Sequence, residues 1–365
     1  MKTEALLRDP VFQLNLLLWM AKEQPSGDFR VRPLFYNWGF RIIYIEQPFA
    51  FPEDAARAMK DSALDISVAP EPELILGRTS SDNKALYFEA KANSFGISSR
   101  NCRQARAHLI ASGPAFGEVL FPLNACLLCY VVPDSAREKM SECLTDLSDE
   151  LRNKGLKPGP FSCHGLAVSE SRIVYSWDSI CKEHVGATEG AVPILNDVEE
   201  DTDPAPLVLV FSDEDCGNVE MRDFYRRAVI DQVRACLLSD LHSHALGEKY
   251  ETSPDNLLAK TSDGVFQHLG GERQKGLRKL VRENIFKKIA DYWKDKQSGV
   301  TLVGNQLVVT WSVIGERDNF LNWIEDRRMR FDVGKPPEEQ PDLFDSVGPD
   351  IMYWFSLNPT VGVRS

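Results

Sequence analysis

The chain has 365 residues, of which 43% are hydrophobic and 26% are charged, and its formal net charge is -12. A chain of this length can bury a large core without disulfides or structural metal ions, and its composition is ordinary for a globular protein. The acidic surface as a whole repels nucleic acid, so any binding of nucleic acid would depend on a local basic patch.

The sequence predicts a protein without a membrane segment or a secretion signal. The apolar stretch from Leu14 to Met20 is shorter than the roughly 20 residues that a membrane-spanning helix needs. It also lacks the basic leader and the small-residue cleavage site of a signal peptide. Eight cysteines without a regular framework favour a reducing compartment. We therefore expect a cytoplasmic protein that makes no membrane contact.

Two of these cysteines, Cys126 and Cys129, have the spacing of one half of a zinc site. They lie in an apolar run that predicts a buried strand, and no second pair of Cys or His residues with matching spacing follows. We interpret both as buried thiols rather than zinc ligands.

Hydrophobic periodicity and turn residues predict alternating helices and strands in the first half of the chain. The predicted helices cover residues 5–22, 52–63, 98–112 and 135–154. The predicted strands cover residues 40–45, 64–68, 73–76, 85–90 and 126–132. From the helix at 52–63 onward, the order is helix, three strands, helix, strand.

The acidic, proline-bearing stretch 193–206 predicts a domain boundary. Beyond it, the pattern predicts a strand at 207–211, helices at 219–246 and 272–296, and a hairpin at 301–312 that turns at Gly304. We therefore predict an α/β domain over residues 1–200, a mainly helical domain with a β-hairpin and a basic helix over 206–335, and an irregular acidic Pro/Gly-rich tail over 336–365.

The strand at 85–90 carries the residues with the clearest chemical pattern. Side chains alternate across a strand, so Glu89 and Lys91 point to one side while Phe88 and Ala90 point into the core. If the strand that begins at Glu73 pairs with it, a second carboxylate reaches the same end. Two carboxylates and water can hold Mg²⁺ or Mn²⁺, and a nearby lysine can orient the attacking water and offset charge on a phosphate.

This pattern resembles the PD-(D/E)xK nuclease superfamily, whose restriction-endonuclease-like core has the order αβββαβ. Pro72-Glu73 stands where that family has Pro-Asp, and Glu89-Ala90-Lys91 matches its (D/E)xK. The resemblance implies metal ligation by Glu73, Glu89 and the Ala90 carbonyl, with Lys91 as the catalytic lysine. It also implies a contribution from Gln104 on the following helix.

The match leaves alternatives open. Glu replaces the usual Asp at position 73, so Glu71 or Asp65 could be the partner of Glu89 instead, and Glu53 could add a ligand. Glu89 and Lys91 could also form only a solvated ion pair on a sheet edge. A non-catalytic binding or assembly protein built on the same core is the remaining alternative.

Two groups of basic residues are candidates for nucleic-acid binding. Arg100, Arg103 and Arg106 lie three residues apart on the helix that carries Gln104. The larger group is in the basic helix: Arg273, Lys275, Arg278, Lys279 and Arg282. A solvated helix face, or a docking surface for an acidic partner, would explain the same patterns.

The resemblance implies hydrolysis of DNA more than RNA, in restriction or anti-phage defence. The sequence contains no phosphate-binding G-x-x-x-x-G-K-[ST] motif. Any coupling to ATP would therefore come from a helicase or ATPase partner, as in many proteins of this superfamily.

Overall fold

The computed structural model describes residues 3–24, 30–48, 50–78, 83–96, 101–113, 125–198, 203–293 and 299–325. Seven helices belong to the part of the chain before residue 199 that is described: α1 (Thr3–Leu6), α2 (Pro10–Ala21), α3 (Leu34–Asn37), α4 (Glu53–Asp61), α5 (Asn101–Ala111), α6 (Arg137–Asn153) and α7 (Ser179–Val185). The helices described after it are α8 (Val219–His242), α9 (Pro254–Thr261), α10 (Gly271–Val281), α11 (Lys287–Trp293) and α12 (Ile314–Glu325).

The main sheet has seven strands that lie side by side in the order of the sequence. These are β1 (Arg41–Ile45), β2 (Leu74–Arg78), β3 (Lys84–Ala90), β4 (Ala125–Pro133), β5 (Phe161–Ser169), β6 (Arg172–Ser176) and β7 (Ala191–Leu195). Strands β3, β4 and β5 run parallel, and the other neighbours pair antiparallel. The α/β class expected from the sequence is therefore confirmed.

Helices cover both faces of this sheet near its centre. In β3, Leu86 and Phe88 join the core cluster that contains α2, whereas Tyr87 joins the cluster formed with α5 and α6. Six of the seven residues of β3 are buried, which is typical of a strand covered on both sides. Glu89, on the side of Tyr87, is therefore a carboxylate within a packed interior.

Helix α2 begins sharply and lies in the core. Asp9 caps its N-terminus by accepting a hydrogen bond from the Phe12 N–H, and Pro10 occupies the first turn, where it costs no hydrogen bond. This break divides the helix predicted over 5–22 into α1 and α2. The Asn15 side chain of α2 bonds the backbone of Leu209 and Val210.

These bonds explain why the predicted strand at 207–211 is wrong. A 3-10 turn at Ala205–Leu207 leads into an extended segment whose N–H groups donate to the Asn15 side chain. A side chain thus satisfies backbone groups that a sheet ladder would otherwise satisfy.

The predicted strand at 64–68 is also wrong. Its residues form an irregular segment after α4, and the Ser67 N–H donates to the Arg103 carbonyl of α5 instead of to a strand. The neighbour of β2 on that side is β1, with Ile45 opposite Leu74. The three strands before α5 are therefore β1, β2 and β3, with α4 inserted after the first.

Residues beyond the predicted boundary extend the same hydrophobic cluster. Strands β8 (Lys249–Thr252), β9 (Val300–Val303) and β10 (Gln306–Thr310) form a second sheet, and the predicted hairpin turn at Gly304 is confirmed by its positive φ. The helix predicted over 272–296 contains α10, a π-helical segment at Arg282–Phe286 and α11. Residues 199–202, 294–298 and the tail 336–365 lie outside the described residues.

The two-domain division stays a prediction. One core cluster includes Phe12 and Phe88 before the boundary and Leu237 and Ile285 after it. None of the helices that the structure describes combines the length and hydrophobicity required to cross a bilayer.

Candidate active site

A cavity of about 290 Å³ opens beside the ends of β1, β2 and β3. Its lining comes from α2, the strand ends, α5, the segment before α8 and the start of α10. The lining residues are Pro10, Val11, Leu14, Glu46, Glu71, Pro72, Glu73, Glu89, Lys91, Gln104, Asp215 and Arg273. Five residues that the sequence predicts for the site, Glu73, Glu89, Lys91, Gln104 and Arg273, are thus brought together.

Three neighbouring strands deliver acidic side chains to this cavity. Leu74 lies opposite Phe88, so the register continued by one residue sets Glu73 opposite Glu89. The Glu46 N–H donates to the Glu73 carbonyl over 3.1 Å. Glu46, at the end of β1, therefore lies next to Glu73. The acids are therefore placed by backbone pairing and not by flexible loops.

Glu89 and Lys91 form the centre of the site. Lys91 Nζ donates to Glu89 Oε1 at 2.5 Å, and Glu89 is 1% exposed. The Ala90 N–H donates to Glu73 Oε2 at 3.0 Å. The alternative that Glu89 and Lys91 form only a solvated ion pair on a sheet edge is therefore wrong, because the Glu89 carboxylate lies in the interior.

The second oxygen of Glu89 lacks a hydrogen bond. Glu89 Oε2 is buried and has no hydrogen-bond partner within the described part of the chain. His108 Nδ1 lies 3.6 Å away, and burial lowers the pKa of His108 to about 4, so this imidazole is neutral at pH 7. A buried carboxylate oxygen without a donor costs free energy unless a cation or water reaches it.

A second group of acids surrounds Arg273. The Arg273 guanidinium forms a fork with Asp215, with Nη1–Oδ2 at 2.5 Å and Nη2–Oδ1 at 3.1 Å. Glu46 Oε2 lies 3.4 Å from its Nε and Glu71 Oε1 lies 3.7 Å from its Nη2. The sequence placed Arg273 in an exposed basic patch, whereas here it pairs with three carboxylates.

Burial and crowding shift the proton affinities of these groups. Burial, together with the Glu89 charge, raises the pKa of Glu73 well above its usual value. Burial raises the pKa of Glu46 to about 8 against the opposing effect of Arg273. Burial lowers the pKa of Lys91, but Glu89 and Glu73 outweigh it and the net shift is upward. Several shifted pKa values within one cavity are typical of functional sites.

Of the alternative ligands, only Glu71 reaches the cavity. Glu53 lies in the first turn of α4 and Asp65 pairs with Arg103 at 3.3 Å, and neither lines the cavity. Two acids that the sequence did not single out, Glu46 and Asp215, do line it. Glu46 follows β1 directly, which is a usable signal, but nothing in the sequence links Asp215 to this place.

Most of the predicted nucleic-acid residues are paired within the protein. Arg106 binds Glu150 of α6 through Nε at 2.8 Å, and its side chain is only 11% exposed. In the basic helix, Lys275, Arg278 and Arg282 pair with Glu272, Asp255 and Glu283, while Lys279 is exposed. Arg100 lies outside the described residues.

The cysteine pair on β4 lies on opposite faces of the sheet. Cys126 packs with the cluster of α5 and α6, and Cys129 packs with the cluster of α2. Burial raises the pKa of Cys126 to about 12, so it remains a thiol. Cys129 is buried as expected, whereas Cys126 is only partly buried.

The oxygen ligands in the cavity suit a hard divalent cation, but they are not arranged around an empty coordination sphere. Within the described ranges, no three His, Cys, Asp or Glu side chains converge closely enough to hold a metal ion. Lys91 and Arg273 hold most of the carboxylates instead. Glu89, which has one unpaired oxygen and lies opposite Glu73 in the strand register, is the residue that best fits a cation.

No protein-family model matches the chain, and no similar protein was found among curated proteins or solved structures. The functional assignment therefore depends on the geometry of this cavity.

Proposed function

We propose that the chain is a Mg²⁺- or Mn²⁺-dependent nuclease of the PD-(D/E)xK type. The observation that carries this proposal is the meeting of Glu73, Glu89 and Lys91 in one cavity, with one buried Glu89 oxygen unpaired. The order α2, β1, β2, β3, α5, β4 supports a restriction-endonuclease-like αβββαβ core, with α3 and α4 as additional helices.

Glu73 and Glu89 would hold the divalent ion, with the Ala90 carbonyl as the ligand that the family resemblance implies. When bound, the ion supplies charge to polarise the phosphate and lowers the pKa of a water molecule. Glu73 already bonds the Ala90 N–H, which sets it beside this part of β3. The packed strands preorganise these ligands before substrate binds.

Lys91 and Gln104 contribute after the ion binds. Lys91 now donates to Glu89 Oε1; a cation on Glu89 would weaken this pair and allow the ammonium to orient the attacking water or contact the phosphate. Gln104 lines the same cavity from α5 and can hold Lys91 or the phosphate. His108 packs against Glu89, with Nδ1 3.6 Å from Glu89 Oε2, and burial keeps this imidazole neutral at pH 7 by lowering its pKa to about 4.

DNA is a better candidate for the substrate than RNA. The proposed biological role is restriction or anti-phage defence in the cytoplasm. The eight cysteines are all free thiols, which fits a reducing compartment. The net charge is -12, and most of the basic side chains that the sequence suggested for nucleic-acid binding are paired within the protein. A helicase or ATPase partner that delivers the DNA would compensate for the weak electrostatic attraction between this chain and DNA.

Cleavage of plasmid DNA in Mg²⁺ or Mn²⁺ tests the proposal. Lys91→Ala and Glu89→Gln should each reduce cleavage at least 100-fold, with folding checked by circular dichroism. Lys249→Ala is the matched control, because Lys249 is an exposed lysine that pairs with Glu251 on β8. Equal cleavage by the wild type and Lys91→Ala would refute the assignment, and single-stranded and RNA substrates assayed alongside would decide the substrate class.

A non-catalytic binding or assembly protein is the second candidate. It is favoured by the ion pairs of Glu89 with Lys91 and of Glu46, Glu71 and Asp215 with Arg273, which satisfy these acids without metal. This candidate predicts no cleavage with any divalent ion, even in the presence of a partner that the chain binds.

A further inference from the structure

Arg273 enters the cavity from a segment that is fixed to the end of β1. Ile45 forms a parallel bridge with Leu269, the Gly270 N–H donates to the Ile45 carbonyl, and Gln47 Nε2 donates to the His268 carbonyl at 3.0 Å. A Cβ at Gly270 would lie 2.9 Å from the Glu46 carbonyl oxygen, so the glycine permits this close approach.

The Arg273 side chain is therefore held in place and is not a mobile surface residue. Its side chain is 16% exposed, although arginine is rarely so enclosed without a specific partner. The three acids that it contacts come from separate parts of the chain: Glu46 from the end of β1, Glu71 from the segment before β2, and Asp215 from the segment before α8. A single cation thus organises one side of the cavity.

We propose that Arg273 is the built-in second cation of the site, so that the cavity binds one divalent ion, at Glu73 and Glu89, and not two. This inference rests on the proposed nuclease function for its consequence in catalysis. Two-metal enzymes place a pair of divalent ions about 3.5–4 Å apart to hold both sides of a phosphodiester. Here a guanidinium occupies the carboxylate-rich half of the cavity.

The geometry of the two acid groups supports this division. Lys91 contacts Glu89 Oε1, the other Glu89 oxygen is buried without a hydrogen bond, and Glu89 lies opposite Glu73 in the strand register. Around Arg273, by contrast, Glu46, Glu71 and Asp215 each have an oxygen within 3.7 Å of a guanidinium nitrogen. Mg²⁺ needs its oxygen ligands at about 2.1 Å and close to octahedral, which the planar guanidinium prevents at this position.

Arginine can also perform the task of the replaced ion. Its N–H groups form a fork that matches carboxylate and phosphate oxygens alike, and it stays charged at any working pH. The fork now engages Asp215. On substrate binding, the same guanidinium would contact a non-bridging phosphate oxygen and offset its charge, as arginines do in other phosphoryl-transfer sites.

Calorimetric titration of the full metal-free chain with MnCl₂ tests the inference through stoichiometry, without an activity assay. The wild type should bind one Mn²⁺. Arg273→Met should bind two, because Glu46, Glu71 and Asp215, which now contact the guanidinium and do not converge on one point, are then released to turn toward a second ion. Arg273→Lys should still bind one. Arg278→Met is the matched control, since Arg278 lies on the same helix but pairs with Asp255 outside the cavity.

The outcomes separate this inference from the proposed function. Two ions in the wild type, or an unchanged number in a folded Arg273→Met protein, would overturn the role of Arg273 while leaving the nuclease proposal standing. No ion in the wild type and one in Arg273→Met would support the role of Arg273 but remove the metal site at Glu73 and Glu89. If Arg273→Met does not fold, the wild-type stoichiometry and Arg273→Lys decide the question.

Discussion

Glu89 Oε1 and Lys91 Nζ lie 2.5 Å apart on the same strand, with the carboxylate 1% exposed. The two residues flank Ala90, so the alternation of the strand directs both side chains to the cavity. Ion pairs of this kind are weak on a surface, but in an interior the loss of one partner leaves a buried charge without compensation. This relationship leads to the first prediction.

Replacing the lysine should destabilise the protein more than replacing both partners. Lys91→Met should lower the free energy of unfolding by about 3 kcal/mol, because the Glu89 charge is left unpaired in the interior. Lys91→Met/Glu89→Gln should lose less, since no buried charge remains. Urea denaturation at pH 7 measures both. A loss below about 1 kcal/mol in Lys91→Met would contradict this prediction.

Stability should fall as the pH rises from about 5 to about 8. Burial raises the pKa of Glu46 from 4.5 to about 8, so between these values the folded protein holds a proton that the unfolded chain releases. The contribution of Glu46 to stability is therefore fully present below pH 4.5. It is lost as the pH rises from 4.5 through about 8, by at most about 1.4 kcal/mol per pH unit. Unfolding free energies at several pH values measure the slope.

Glu46→Gln isolates this effect. The variant should have a flatter slope between pH 5 and pH 8 than the wild type. Glu53→Gln, at an acid outside the cavity on α4, is the control. Glu73 and Glu71 have raised pKa values as well, so a residual slope of the same sign is expected. An identical slope in Glu46→Gln and the wild type would contradict the assignment.

The arginines of α5 should differ in their effects. Arg106 forms two hydrogen bonds to Glu150 and joins α5 to α6, so Arg106→Ala should destabilise the protein by about 1–2 kcal/mol. Arg103 is exposed and pairs with exposed Asp65, so Arg103→Ala should change stability by less than about 0.5 kcal/mol. Thermal unfolding of the two variants provides the comparison, and equal losses would refute it.

DNA binding, if it occurs through the basic helix, should depend on its exposed lysines. Lys275→Glu/Lys279→Glu should weaken DNA binding and reduce the slope of log affinity against log salt by about 2. Lys249→Glu, on β8, should leave the slope nearly unchanged. Binding measured by fluorescence anisotropy with EDTA present excludes cleavage, and an unchanged slope in the double variant would assign another role to this face.

The sequence was sufficient for those parts of the site that depend on strand alternation. The placement of Glu89, Lys91 and Glu73 follows from period-two patterning and from adjacent strands, and helix α5 brings Gln104 to the same cavity. Local pattern could not separate the irregular segment at 64–68 from a strand. That segment satisfies its backbone partly through the Arg103 carbonyl, which is a tertiary contact.

The part of the site around Arg273 depends on contacts between residues that are distant in sequence. Arg273 reaches Glu46 because a bridge joins Leu269 to Ile45, and Asp215 approaches from the segment before α8. In the sequence, the same arginine is one of several basic residues on an amphipathic helix. Only the packing separates it from Lys275 and Lys279, which remain at the surface.

A crystal soaked with Mn²⁺ would test the central proposal most directly, through anomalous scattering. We predict an anomalous peak within coordination distance of Glu73 and Glu89, with Lys91 turned away from the carboxylate that it now contacts. A fully soaked crystal with no anomalous peak at this position, and with Glu89 still bound to Lys91, would contradict the proposal.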